Sequence, residues 1–335
     1  MFVSITSSGE LTLPRIQDQF LQSVFYLFPT QEDAEKRTKY GGTGFFVSLD
    51  SNEFGDELRH VYAVTNKHLL VDSNGKPRCL YLNINNSEGD TDTIITELKH
   101  WRLAPDDDLA VLPISPSASR HLASSIGELA FLTEEKIAKH NIGVGDDLFF
   151  IGRFVDHQGK TVNTPTLRFG NVALLTEDEI FDNETGMSQV SYLAEARSIK
   201  GFSGSPTFVY ILPLSPRGRG ADLTIDYWQY FIGVVWSHFK TQEEAYGENG
   251  ERLKVEANSG IMGIVPAKRL LAFLKGDKDL VKHAKKRDDI FRKMKQENSI
   301  SLDSSDKSLT KQDFEDTLKK VTRKTKPSEP DRPAK

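Results

Sequence analysis

Between about residues 23 and 264, apolar residues come in short runs, many alternating with polar ones, and the runs are separated by clusters of Gly, Asn, Asp and Pro. A period of two over four to eight residues marks a strand with one face turned to a core, and the intervening residue types build turns. The pattern predicts strands over 24–28, 44–49, 60–65, 80–84, 109–114, 147–151, 168–175, 207–212, 227–236 and 261–265. Long helical crossovers are missing between them, which argues for a sandwich or barrel rather than a parallel sheet. Residues 115–140 read as helical or irregular and divide the strands into two groups of comparable size. Residues 212–226 and 240–258 are polar and rich in Gly or Glu, the composition of surface loops.

The pattern changes after Pro266. Leu280, Ala284, Arg287, Phe291 and Met294 recur at spacings of 4, 3, 4 and 3, which predicts an amphipathic helix packing on the body with a solvated basic face. Residues 296–309 read as a flexible linker, and Thr310 to Asp313 followed by Phe314, Leu318 and Val321 reads as a short capped helix. The Pro- and charge-rich stretch 326–333 is expected to be disordered.

A chain of 335 residues exceeds the roughly 150 of a typical domain, so two units and an appendage are expected. We divide it into an N-terminal segment (1–19), two β units (20–125 and 126–275) and a basic helical extension with a flexible tail (276–335). The hydrophobic fraction of 38% and charged fraction of 27% exclude wholesale disorder. Residues 276–335 hold 17 Lys and Arg against 12 Asp and Glu, a net +5, which leaves −10 on the first 275 residues. An acidic body disfavours nucleic acid as a partner. The longest strongly apolar stretch, 230–236, is too short to span a bilayer, so no membrane role is expected. Cys79 is the sole cysteine, so no intramolecular disulfide can form and a core position is expected for it. Met1 to Thr6 shows no basic region leading into an apolar one, and the protein is read as cytoplasmic.

Nucleophilic acyl transfer needs a hydroxyl beside an imidazole, a carboxylate that fixes the imidazole tautomer, and backbone donors for the oxyanion. Gly201-Phe202-Ser203-Gly204-Ser205-Pro206 is a glycine-bounded turn directly before a predicted strand, a segment that also suits an ordinary hairpin. The strand 62–65 runs into His68 just past its end. Asp108 directly precedes the apolar run 109–112, where a carboxylate is costly unless partnered, whereas Asp106 and Asp107 read as solvated loop charges.

The ordered set Gly42-Thr43-Gly44-Phe45-Phe46-Val47, Thr65-Asn66-Lys67-His68, Asp108-Leu109-Ala110-Val111-Leu112 and Gly201 to Pro206 resembles the trypsin-like serine peptidases, in particular the disulfide-free bacterial branch related to the HtrA proteases. Phe149 to Gly152 and Gly260 to Pro266 are further echoes, and the resemblance covers about residues 20–275. It implies a mainly β, chymotrypsin-like fold of two six-stranded antiparallel barrels, with the C-terminal helical extension outside it. It also implies a triad of His68, Asp108 and Ser203, an oxyanion hole of the Gly201 and Ser203 amides, and no metal or organic cofactor. Residues 231–236 resemble the strand that pairs with a substrate backbone. A specificity pocket is then expected near Glu195 to Lys200 and Trp236 to His238, with Arg197, Lys200 and His238 raising a preference for an acidic residue that rim or ion-pair roles would remove.

Phe202 departs from those members of the family that are activated by N-terminal cleavage and carry Asp there. The implied enzyme needs no such cleavage, or has its loop ordered by substrate, oligomerisation or a partner protein. No PDZ-like segment is evident after Pro266. An α/β-hydrolase fails on Ser205, where its elbow requires Gly, and on the order of acid, histidine and serine. A catalytically silent two-barrel module that binds a peptide or partner stays open.

Overall fold

The computed structural model describes residues 16–39, 41–154, 159–183, 185–196, 201–211, 229–246, 249 and 251–305. The chain divides into two compact units, Met1–Lys285 and Lys286–Lys335. It is mainly β, with a helical C-terminal region.

Eight strands of the first unit form one sheet: β1 (Val24–Phe28), β2 (Thr43–Ser51), β3 (Gly55–Thr65), β4 (Tyr81–Asn85), β5 (Thr91–Ile95), β6 (Arg102–Leu103), β7 (Ala110–Pro113) and β8 (Ile126–Gly127). Their order is β5-β4-β1-β2-β3-β7-β6, and β8 lies parallel to β2. Six more close into a barrel in the order β10-β13-β16-β15-β14-β9: β9 (Asp147–Gly152), β10 (Thr166–Leu174), β13 (Tyr192–Ala196), β14 (Pro206–Tyr210), β15 (Gln229–Tyr246) and β16 (Arg252–Pro266). The remaining pair, β11 (Glu179–Asp182) and β12 (Met187–Val190), forms a separate hairpin.

The expected pair of six-stranded barrels is therefore met by one closed barrel and one eight-stranded sheet. Among the described residues no pairing joins the sheet's terminal strands. β6 has only two residues, both paired to β7, so it offers little ladder for a closing partner.

Alternation explains both sheets. Along β1, Val24, Tyr26 and Phe28 enter one cluster of buried residues, while Phe25 and Leu27 enter another. In the barrel, Leu148 and Phe150 of β9 fill the interior cluster, while Phe149 and Ile151 turn outward into the cluster shared with Phe45 and Val47 of β2. Phe45 and Phe231 meet there with ring centroids 5.4 Å apart. At about 25 cal/mol per Å² of apolar area, burial of this kind on both faces of a strand is a main force holding it in place.

Helices are few and mostly short: α1 (Asp18–Leu21), α2 (Gln31–Lys36), α3 (Lys67–Leu70), α4 (Glu134–His140), α5 (Ala267–Gly276) and α6 (Lys278–Ser305). α6 runs through 296–305, where a linker was expected. No Gly or Pro occurs between Lys278 and Ser305, so nothing in the chain breaks the helix there. The expected capped helix after Thr310 and the disorder at 326–333 fall outside the described residues.

Residues 240–258 correct a second expectation. Most of this stretch is not loop: β15 and β16 continue as a paired ribbon from Lys240↔Asn258 to Tyr246↔Arg252. Its polar composition follows from exposure, and opposite charges across it, such as Lys240 and Glu256 at 3.0 Å, suit the ladder. Among the described residues no helix is long and apolar enough to cross a membrane.

Candidate active site

β3 ends at Thr65, paired with Ala110 of β7. Each strand presents a polar residue just beyond that pair. On one side, Asn66 precedes the single turn of α3, which buries Leu69 and Leu70 and leaves His68 half-buried. On the other, Asp108 precedes the buried Leu109.

The two meet closely: His68 Nδ1 lies 2.6 Å from Asp108 Oδ2, and the His68 backbone N–H donates to Oδ1 at 2.9 Å. Asn66 Nδ2 donates to the Asp108 carbonyl at 2.9 Å. The acid side chain is 3% exposed and the imidazole 25%. An ionised carboxylate can only accept, so in a neutral imidazole this contact puts the proton on Nδ1 and the lone pair on Nε2.

Ser203 reaches the same region from the barrel. Phe202 is fully buried in the barrel core, edge-on to Phe150 with centroids 5.1 Å apart, and the Arg168 guanidinium lies 5.3 Å from its ring. An apolar side chain thus anchors the loop in the barrel interior. Thr43 of β2 ties the loop to the sheet: its N–H donates to Ser203 O at 3.0 Å and its Oγ1 to Gly201 O at 2.8 Å. Thr43 Oγ1 also accepts from the Arg153 amide at 3.0 Å, and Thr43 O accepts from Thr65 Oγ1 at 2.7 Å.

Gly42 shows how near the two halves come. A Cβ there would lie 2.5 Å from Leu69 Cδ1, next to His68, and 3.0 Å from the Ser203 carbonyl oxygen. Among the described residues, Ser203 Oγ and His68 Nε2 make no hydrogen bond to each other or to any other group, and the amides of Gly201, Phe202 and Ser203 donate to no acceptor. A run of unsatisfied N–H groups beside a free hydroxyl is an anion-seeking arrangement. Nearby, burial pushes the Cys79 thiol up to about 11, which keeps it protonated at neutral pH and unsuited as a rival nucleophile.

The Thr43 clamp gives a testable expectation. Thr43→Val keeps the shape, removes the tie to Gly201 O and orphans the Arg153 amide, at a cost of about 1–3 kcal/mol. Thermal unfolding should show that loss, and the reactivity of Ser203 should fall with it.

The other site residues expected from sequence are placed differently. Trp236 is buried and its Nε1 donates to Ser191 Oγ at 2.9 Å; Ser237 is buried and its Oγ donates to Asp182 Oδ2 at 2.7 Å. His238 is half-buried opposite Met262, and Glu195 is exposed on β13. Arg197 and Lys200 lie outside the described residues. The backbone is more telling: β14 pairs with β15 only as far as Pro206↔Val234, and Val235 exchanges bonds with Gly204 and Ser205. From Trp236 onward that edge of β15 has no strand beside it among the described residues.

Asp107 is a correction. Expected in solvent, it is buried, accepts from Gln189 Nε2 at 2.7 Å and pairs with Arg269 of α5. Gln189 itself also accepts from the Asp108 amide at 2.7 Å. Nothing local in the sequence marked it, since its partners lie 81 and 82 residues away.

No protein-family model matches the chain, and no curated protein matches it. Among solved structures it is similar to that of Rv3671c from M. tuberculosis H37Rv, a serine-to-alanine mutant in an inactive form. The identity is 16%, the match covers 76% of this chain and 86% of that one, and the TM-score is 0.38. A superposition that loose does not by itself fix a fold or a chemistry.

Proposed function

We propose that the protein is a serine endopeptidase of the trypsin-like, chymotrypsin-fold class, with His68, Asp108 and Ser203 as its triad. The observation that carries the reading is the doubly bonded His68–Asp108 pair, together with the Ser203 loop tied to β2 by Thr43. In this reading Ser203 Oγ attacks the scissile carbonyl and passes its proton to His68 Nε2, and Asp108 stabilises the imidazolium. The amides of Gly201 and Ser203 hold the oxyanion, His68 protonates the leaving amine, and water then releases the acyl group by the same route in reverse. The chemistry draws on no cofactor.

A peptide would lie along the open edge of β15 from Trp236, where main-chain pairing gives affinity with little sequence preference. Placement beside the HtrA proteases rests on the order of the motifs, and a cytoplasmic site of action rests on the lone buried cysteine. The division into β units 20–125 and 126–275 with an extension at 276–335 belongs to the same reading, as does a partner protein that orders the loop. One observation favours the alternative of a silent peptide-binding module: Ser203 Oγ and His68 Nε2 are not hydrogen-bonded to each other. Catalytic contacts of this kind often tighten only with substrate seated. Covalent labelling of Ser203 by a fluorophosphonate separates the two readings.

A further inference from the structure

The β11–β12 hairpin belongs to neither large sheet, yet its two strands reach the two halves of the site. Asp182, at the end of β11, holds Ser237 on the strand proposed to pair with a peptide. Gln189 of β12, 2% exposed, holds the segment that carries the acid. Its Nε2 donates to Asp107 Oδ1 at 2.7 Å and to Val190 O at 3.1 Å, and its Oε1 accepts from the Asp108 amide at 2.7 Å.

These partners fix the amide's orientation. Turned over, it would set an N–H₂ against the Asp108 N–H and an oxygen against the Asp107 carboxylate, so only one arrangement satisfies both. Arg269 donates to the same Asp107 oxygen and balances its buried charge. Asp108 is then gripped at three places. Its carboxylate is occupied by His68, its carbonyl by Asn66 and its amide by Gln189. The first two grips come from the sheet that carries His68. Gln189 is the one that comes from elsewhere.

We infer that Gln189 is a positioning residue for the acid, acting through the Asp108 amide and the Asp107 carboxylate to hold the carboxyl group square to His68. The inference rests on the peptidase reading. A shift of about an ångström at a catalytic group can cost on the order of a hundredfold in rate, and a buried amide that loses its acceptor will move to find another.

The test compares wild type with Gln189→Met, which keeps the length of the side chain and removes all three of its hydrogen bonds. Two quantities are read: the rate at which a fluorophosphonate labels Ser203, and kcat and KM on an unstructured peptide. We expect labelling and kcat to fall together by between about tenfold and a hundredfold, with KM within about twofold because Gln189 lies off the peptide's path. Gln189→Glu keeps an oxygen for the Asp108 amide but sets its other oxygen against the Asp107 carboxylate, whose charge Arg269 already balances, and should not restore the rate. If the methionine variant fails to fold, Gln189→Asn, one methylene too short to span both partners, takes its place. A folded variant that is less stable but labels at the wild-type rate would overturn the positioning role and leave the peptidase reading standing. A wild type that is never labelled would overturn both.

Discussion

Asp108→Asn should leave the chain folded and lower turnover by about 10⁴-fold, the scale seen when a triad acid is replaced by its amide. The carboxylate accepts twice from His68, from the backbone N–H and from Nδ1. An asparagine has one acceptor oxygen and one donor nitrogen to offer these two sites, so one contact would set donor against donor. The cheapest relief is a change of imidazole tautomer that makes Nδ1 the acceptor. Nε2 then carries the proton and cannot take one from Ser203. Turnover of a peptide substrate, beside circular dichroism to verify folding, checks the expectation; a loss under about tenfold would mean that Asp108 does not set the tautomer.

The second large effect is structural. Gly204 has φ +82°, and a Cβ added there would lie 2.0 Å from the Thr43 carbonyl oxygen and 2.7 Å from Thr65 Oγ1. Neither neighbour can retreat cheaply. Thr65 donates to that carbonyl, and the Thr43 amide holds Ser203 O. Gly204→Ala therefore combines left-handed backbone strain with overpacking, together about 3 kcal/mol or more, and the adjustment falls on the loop bearing Ser203. Gly186 supplies the control. Its φ is +67° with nothing within 4 Å of the added Cβ, so Gly186→Ala should cost only the backbone strain of about 1–2 kcal/mol. Urea denaturation should rank the two variants in that order, and equal losses would show that Gly204 is not sterically confined.

Much of this arrangement is legible in the sequence, for identifiable reasons. Strands such as 24–28 and 147–152 bury both faces, so they stand out as apolar runs whatever their neighbours. His68 and Asp108 are each marked by the strand beside them, and the β3–β7 register converts those two local signals into one site. β5, β11 and β12 were not read because Thr91–Ile95, Glu179–Asp182 and Met187–Val190 are short and largely polar, held by pairing rather than by apolar burial. β13 was missed because Tyr192–Ala196 is short and two of its three buried residues are alanines, which make a weak apolar run. The 240–258 ribbon has the composition of a loop and the pairing of a sheet, and only the long-range register tells the two apart.

The misplacement of Asp107 has an identifiable origin. Asp107 sits in an acidic run that suggests solvent, yet Gln189 and Arg269 arrive from the hairpin and from α5 to neutralise it. Trp236 and Ser237 are likewise bonded to Ser191 and Asp182, partners that no local pattern announces. Burial of a polar group is decided by partners that are distant in the chain. Local pattern found the groups proposed to react and missed those that hold them in place.

The central claim is that Ser203 is a nucleophile activated by His68, and reaction of the purified chain with a fluorophosphonate, followed by mass-spectrometric mapping of the adduct, tests it most directly. The account predicts a single adduct on Ser203, none on Ser205, and no reaction after Ser203→Ala or denaturation. An unlabelled Ser203 in the folded chain, even with an unstructured peptide present to seat the loop, would contradict it and leave a two-part β scaffold that binds without cutting.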